Sequence, residues 1–275
     1  MIKTVSKNLQ PGEKTSGVTP SLNIKKLGIV SRNYRTIYGN GRRDFSHSMH
    51  DVLALLDEKG CDAVLFSLYS VVVTSAFSVL EVLKMAALKC VKVVLLEEFI
   101  DTQQRDLEFP DKEKREAGRF VVYYLLDRGW QEYEFKQSFG TTIRMKRDRI
   151  DAFIKQEMPK RILGNSAVLL CGETNIVKYS KKIDQQIHDD YGVLDQIPNS
   201  VKVILNPIHD RMTRFEMKLK REFLSKNDRV VISVWNKGRP RDGANPAWTV
   251  YKDGKSVVTT PMSNGFGLEI GIVDC

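Results

Sequence analysis

Ala167-Val168-Leu169-Leu170-Cys171-Gly172-Glu173-Thr174-Asn175 is an apolar run that stops on a cysteine, turns at a glycine and continues in polar residues. Consecutive apolar side chains bounded in this way predict a short buried strand. The thiol then stands at the rim of a sheet. Gly172 permits a sharp turn there, and the N–H groups that follow the cysteine are placed to hold a developing oxyanion. This pattern suits a nucleophile. A free cysteine is also among the most buried residue types, so a core thiol is the other reading of the local pattern.

Downstream, a polar, helix-like stretch runs from about Val177 to Gln196. A strand Val201-Lys202-Val203-Ile204-Leu205 ends on Asn206-Pro207, a helix follows over Arg211–Ser225, and the strand Arg229–Val234 closes on Trp235-Asn236-Lys237-Gly238. Trp248–Tyr251 and Ser256–Val258 form a hairpin turned by Asp253-Gly254, and Gly267–Val273 is the last strand. Upstream, strands alternate with helices: strand Leu27–Val30, helix Phe45–Lys59 stopped by Gly60, strand Cys61–Phe66, helix Phe77–Leu88, and strand Val91–Leu96 ending in Glu97-Glu98. A charged segment over Asp101–Gly118 is long for a connection and reads as a mobile loop or a lid. Phe120–Leu126 and Gln131–Phe135 then pair around Asp127-Arg128-Gly129. Alternation of this kind indicates a layered α/β fold with mixed sheets.

The order of these segments resembles the nitrilase, or carbon–nitrogen hydrolase, superfamily. In that family a strand ends on the catalytic cysteine, followed by a Val-Ile-Leu-Asn-Pro strand, a helix rich in Arg and Glu, and a Val-x-x-Asp-Gly hairpin. The resemblance covers residues 24 to 274, most clearly in the second half. It implies a four-layer α-β-β-α sandwich, with residues 24–275 as a single domain behind a disordered or loosely attached arm, residues 1–23. It also implies a small amide or nitrile substrate, and a homodimer or higher homo-oligomer with the helix after Cys171 at the interface.

The family's chemistry implies a Glu as general base, a Lys that stabilises the tetrahedral intermediate, and a Cys that is acylated. Cys171 takes the third place. Lys136, in Tyr133-Glu134-Phe135-Lys136, takes the second; its charge beside the thiol would favour the thiolate and meet an oxyanion. The first place is where this sequence departs: Ala63-Val64-Leu65-Phe66-Ser67-Leu68-Tyr69 carries leucine at position 68. Without a base, general acid–base catalysis loses about two to four orders of magnitude. Glu98 is the first candidate for a replacement, with Glu97 beside it, and His209 in a Cys171–His209 dyad is the second. Glu173 is read as an orienting group. His47, His50 and His188 lack partner motifs, and Gly39-Asn40-Gly41-Arg42-Arg43 is a turn rather than a phosphate loop.

The chain of 275 residues carries a formal net charge of +9, gathered in Met145–Arg161 and Arg211–Arg229. Interspersed acids make these solvated helix faces, and no nucleic-acid motif accompanies them. No apolar run nears the ~20 residues that span a bilayer, and residues 1–23 lack the apolar centre of a secretory signal. Cys61, Cys90, Cys171 and Cys275 show neither a disulfide framework nor metal spacing, so a cytoplasmic chain without metal or other cofactor is expected. Three functions follow from these residues. They are a cysteine-dependent hydrolase of amides or nitriles acting through a thioester, a catalytically silent relative that binds a ligand or partner, and a basic protein that binds nucleic acid.

Overall fold

Two main sheets account for most of the strand pairing in the computed structural model, which describes residues 19–33, 44–74, 76–100, 118–140, 147–180, 184–210, 215–238, 245–262 and 266–275. Residues 1–18 of the expected arm, the turn at Gly39–Arg43 and most of the charged segment, 101–117, lie outside the described residues.

The first sheet contains β1 (Lys26–Ser31), β2 (Ala63–Phe66), β3 (Val71–Val73), β4 (Val93–Ile100), β5 (Arg119–Leu126) and β6 (Gly129–Phe135), and is completed by β15 (Glu269–Asp274). The second contains β7 (Ile162–Leu163), β8 (Ser166–Val168), β11 (Val203–Asp210), β12 (Val230–Asn236), β13 (Trp248–Lys252) and β14 (Lys255–Val257). Each is mixed in the same way. β1, β2 and β4 are parallel, as are β8, β11 and β12, and antiparallel strands flank both trios. The hairpin between β13 and β14 turns at Asp253 and Gly254, both at positive φ, the left-handed geometry that matches strand twist.

Side-chain alternation sorts the strands into layers. Leu65, Leu95 and Val122 from the first sheet meet Val168, Leu205 and Ile232 from the second in one apolar cluster between the sheets. Their neighbours Val64, Leu96 and Val121 face outward onto α1 (Met49–Glu58) and α2 (Val79–Met85), through Val52, Leu56 and Leu83. On the other side Ala167, Ile204 and Val231 meet the helical layer of α3 (Arg147–Ala152), α4 (Met158–Arg161), α5 (Val193–Gln196) and α6 (Phe215–Leu224), through Ile150, Met158, Val193 and Leu224. The order is therefore helices, sheet, sheet, helices: the α-β-β-α sandwich that the sequence predicts.

One expectation is corrected. The helix expected over Val177–Gln196 is instead a two-stranded ribbon, β9 (Lys178–Tyr179) with β10 (Ile187–His188), followed by the four-residue α5. Gln185 adopts φ 57°, which breaks a continuous helix there, and among the described residues of this stretch α5 is the one α-helix. Leu22 is buried with Ile24, and the Asn165 N–H donates to its carbonyl at 3.0 Å. Among the described residues no helix is long and apolar enough to cross a membrane.

Candidate active site

Because both parallel trios run the same way, their carboxyl ends meet at one edge of the sandwich, where α/β sheets commonly bind ligands. Hydrogen bonds stitch the two ends together. Ser31 Oγ donates to the Trp235 carbonyl at 2.5 Å, Ser67 Oγ donates to Asn236 Oδ1 at 2.5 Å, and Asn236 Nδ2 donates to the Leu68 carbonyl at 2.6 Å. The Lys237 N–H donates to the Arg32 carbonyl at 2.8 Å.

Cys171 stands on this rim, three residues beyond β8, with its side chain partly buried. Its φ is 38°, a left-handed conformation that costs a non-glycine residue about 1–3 kcal/mol and collects at functional sites. A short helical turn, Cys171–Ile176, follows. Gly172 is required there, because a Cβ would lie 1.9 Å from the Gly140 carbonyl oxygen. The loop that leaves β6 is thus pressed against the cysteine turn, and Asn175 Nδ2 holds the same carbonyl at 2.9 Å.

Glu173 fixes both pieces. Its Oε2 accepts from the Leu170 N–H at 2.8 Å, and its Oε1 accepts from the Ser138 N–H at 2.7 Å and from Arg161 Nη2 at 2.9 Å. Neither Glu173 nor Arg161 has any side-chain exposure. Burial pushes the Glu173 carboxyl up, against the pull of Arg161 and the two N–H groups. Arg161 also lies over the Phe135 ring at 4.2 Å and donates to the Lys136 carbonyl at 2.6 Å. Glu173 thus ties the cysteine turn to the loop leaving β6, while its own N–H is engaged by the Leu170 carbonyl at 2.8 Å.

His209, near the end of β11, stands close enough to Cys171 for the thiol to act on its imidazole. Its Nε2 lies 3.3 Å from Glu97 Oε2, with side-chain exposures of 19% and 10%. Burial alone would lower the imidazolium pKa; the hydrogen bonds to Cys171 and Glu97, with their charges, outweigh it and raise the value to about 10. Tyr69 frames the pair. Its N–H donates to Glu97 Oε2 at 2.7 Å, and its ring packs on the imidazole with centroids 4.1 Å apart. Tyr69 is itself left-handed, at φ 57°. Two strained residues, one from each sheet, thus flank one histidine.

The carboxylate that reaches this rim is Glu97, not Glu98. Alternation along β4 turns Glu98 to the outer face, where Arg119 donates to its Oε2 at 2.7 and 3.0 Å and the Tyr123 hydroxyl donates to Oε1 at 2.5 Å. Leu68 is buried in the cluster between the sheets. The Lys136 side chain is exposed, and its ammonium has no hydrogen-bond or ion-pair partner among the described residues. Cys90 is exposed. Among the described residues no group of His, Cys, Asp and Glu is arranged to hold a metal ion. A cleft of about 490 Å³ between Ser138-Phe139 and Arg149–Glu157 includes neither Cys171 nor His209.

No family model and no curated protein matches this chain. Among the solved structures it is similar to are three from different organisms. One is a glutamate-to-leucine mutant of the amidase from Nesterenkonia sp. AN1, with the acetamide moiety of fluoroacetamide covalently added at the active-site cysteine. It is 10% identical with a TM-score of 0.46, covering 94% of this chain and 93% of that one. Another is Nit3 of Saccharomyces cerevisiae, a member of branch 10 of the nitrilase superfamily, at 12% identity and TM-score 0.45 over 93% and 92% of the two chains. The third is a carbon–nitrogen hydrolase from Helicobacter pylori G27, at 10% identity and TM-score 0.45 over 91% and 89%.

Proposed function

We propose that this chain is a cysteine-dependent hydrolase of a carbon–nitrogen bond, acting on a small amide or nitrile through a thioester on Cys171. The observation that carries this reading is Cys171 held on left-handed backbone at the rim, with the imidazole of His209 beside its thiol. A thiol paired with an imidazole is an activated nucleophile. The test is intact-mass measurement after exposure to panels of amides, nitriles and esters. An acyl adduct on Cys171, absent in Cys171→Ala, is the expected result. No adduct and no turnover across the panels would sink the reading.

A second reading is a catalytically silent binding protein of the same fold. It is favoured by the burial of Leu68 and by the exposure of Lys136, whose ammonium has no partner among the described residues. Ligand binding without any acyl adduct would select it.

A further inference from the structure

Taking Cys171 as the nucleophile, we infer that a Cys171–His209–Glu97 relay assembled across the two sheets does the proton transfers, with His209 as the catalytic acid–base and Glu97 as a positioning residue.

The geometry narrows the choice of base. A base must lie within hydrogen-bond reach of the proton it takes, and His209 shares the rim with Cys171, whose thiol acts on its imidazole. Glu98 is turned away and held by Arg119 and Tyr123, and position 68 is an apolar core residue. Glu97 is suited to orient the ring. Its Oε2 faces Nε2 at 3.3 Å and is itself fixed by the Tyr69 N–H at 2.7 Å. Tyr69 covers one face of the imidazole, so the ring is held by a carboxylate at its edge and an aromatic on its face. Among the described residues, the titratable groups facing His209 are Cys171 beyond β8, Glu97 on β4 and Tyr69 beyond β2.

The chemistry balances with these groups and water. Cys171 gives its proton to His209, and the imidazolium charge lies against Glu97. The sulfur lone pair forms the S–C bond while the carbonyl π pair moves to oxygen. When the C=O re-forms, the C–N bond breaks and the departing nitrogen takes the proton from His209. Water then gives a proton to His209 as its oxygen bonds the thioester carbon. The C–S bond breaks, and the sulfur recovers that proton. Glu97 stays ionised throughout, as an orienting carboxylate does in such triads.

Site-resolved iodoacetamide labelling from about pH 5 to about pH 10 tests the relay without a known substrate. Exposed Cys90 serves as the internal reference. In the native chain Cys171 is expected to label faster than Cys90. His209→Gln should remove that advantage by about tenfold or more, within the range for losing a general base. Glu97→Gln should weaken the advantage and displace its pH profile, Glu97→Asp should restore part of it, and Glu98→Gln should leave it unchanged. Superimposable profiles in the native chain, His209→Gln and Glu97→Gln would overturn the relay.

A measurement on the unmutated chain covers the case of misfolded variants. The ¹⁵N signals of the His209 ring should shift when Cys171 is alkylated by iodoacetamide, and signals that stay in place would overturn the relay. The two readings fail separately. A relay without an acyl adduct defeats only the hydrolase, and an adduct with unmoved profiles defeats only the relay.

Discussion

Arg161 and Glu173 form a fully buried ion pair directly beneath the cysteine turn. Removing one partner of such a pair leaves an uncompensated buried charge, at a cost of about 3–5 kcal/mol. Arg161→Met is therefore expected to lower the unfolding free energy in urea by about that amount. Adding Glu173→Gln should recover part of the loss, because the amide is neutral yet its oxygen still accepts from the Leu170 N–H. A cost under about 1 kcal/mol for Arg161→Met would show that the pair is not structural. At this scale the sequence reveals Cys171 and the support from Glu173, but not which of Glu97 and Glu98 faces the site. β4 is apolar on both faces, so Val93-Val94-Leu95-Leu96 gives no parity to count from. His209 carried a readable signal: Pro207-Ile208-His209 follows an apolar strand, as Cys171 does, and so reaches the same rim.

The cysteine turn and the loop leaving β6 behave as one element, joined by the close approach of Gly172 to Gly140. Gly172→Ala places a Cβ against backbone rather than against a flexible side chain, so the loop must move. Overpacking of this kind costs about 1–3 kcal/mol. Its functional signature should exceed its stability cost, since the displaced turn carries the thiol. Cys171 in Gly172→Ala is expected to lose its labelling advantage over Cys90 while the transition in urea stays cooperative. Native labelling rates would mean that the contact does not position the turn. The strands flanking this element were legible because their apolar runs end on turn residues. The stretch after it was not. Val177–Gln196 alternates polar and apolar residues too irregularly to set a period, and its short helix depends on Asp189, whose carboxylate accepts from the Val193 and Leu194 N–H groups at 2.8 Å.

Across the whole molecule, the two sheets are joined at the rim by Glu97 and His209, one from each, and this link titrates. The imidazolium pKa of His209 is about 10 in the fold, against an ordinary 6.5. A group whose pKa is raised on folding binds a proton more tightly in the native state, so its contribution is full below 6.5 and fades as pH rises through about 10. Two buried thiols fade in the same direction. Burial raises Cys61 to about 11 and Cys275 to about 12, from an ordinary 9.0, so their contributions begin to fall only near pH 9. His188 is also raised, by its bond to Asp184, but it is common to the native chain and to His209→Gln, so the difference between them from pH 6.5 to pH 9 belongs to His209. Urea unfolding of the native chain and of His209→Gln across that interval should give a stability difference that shrinks steadily with rising pH. Above pH 9 both chains should weaken together. A difference that stays flat from pH 6.5 to pH 9 would show that His209 carries no extra proton in the native state, and the imidazolium could not be a charged tie between the sheets.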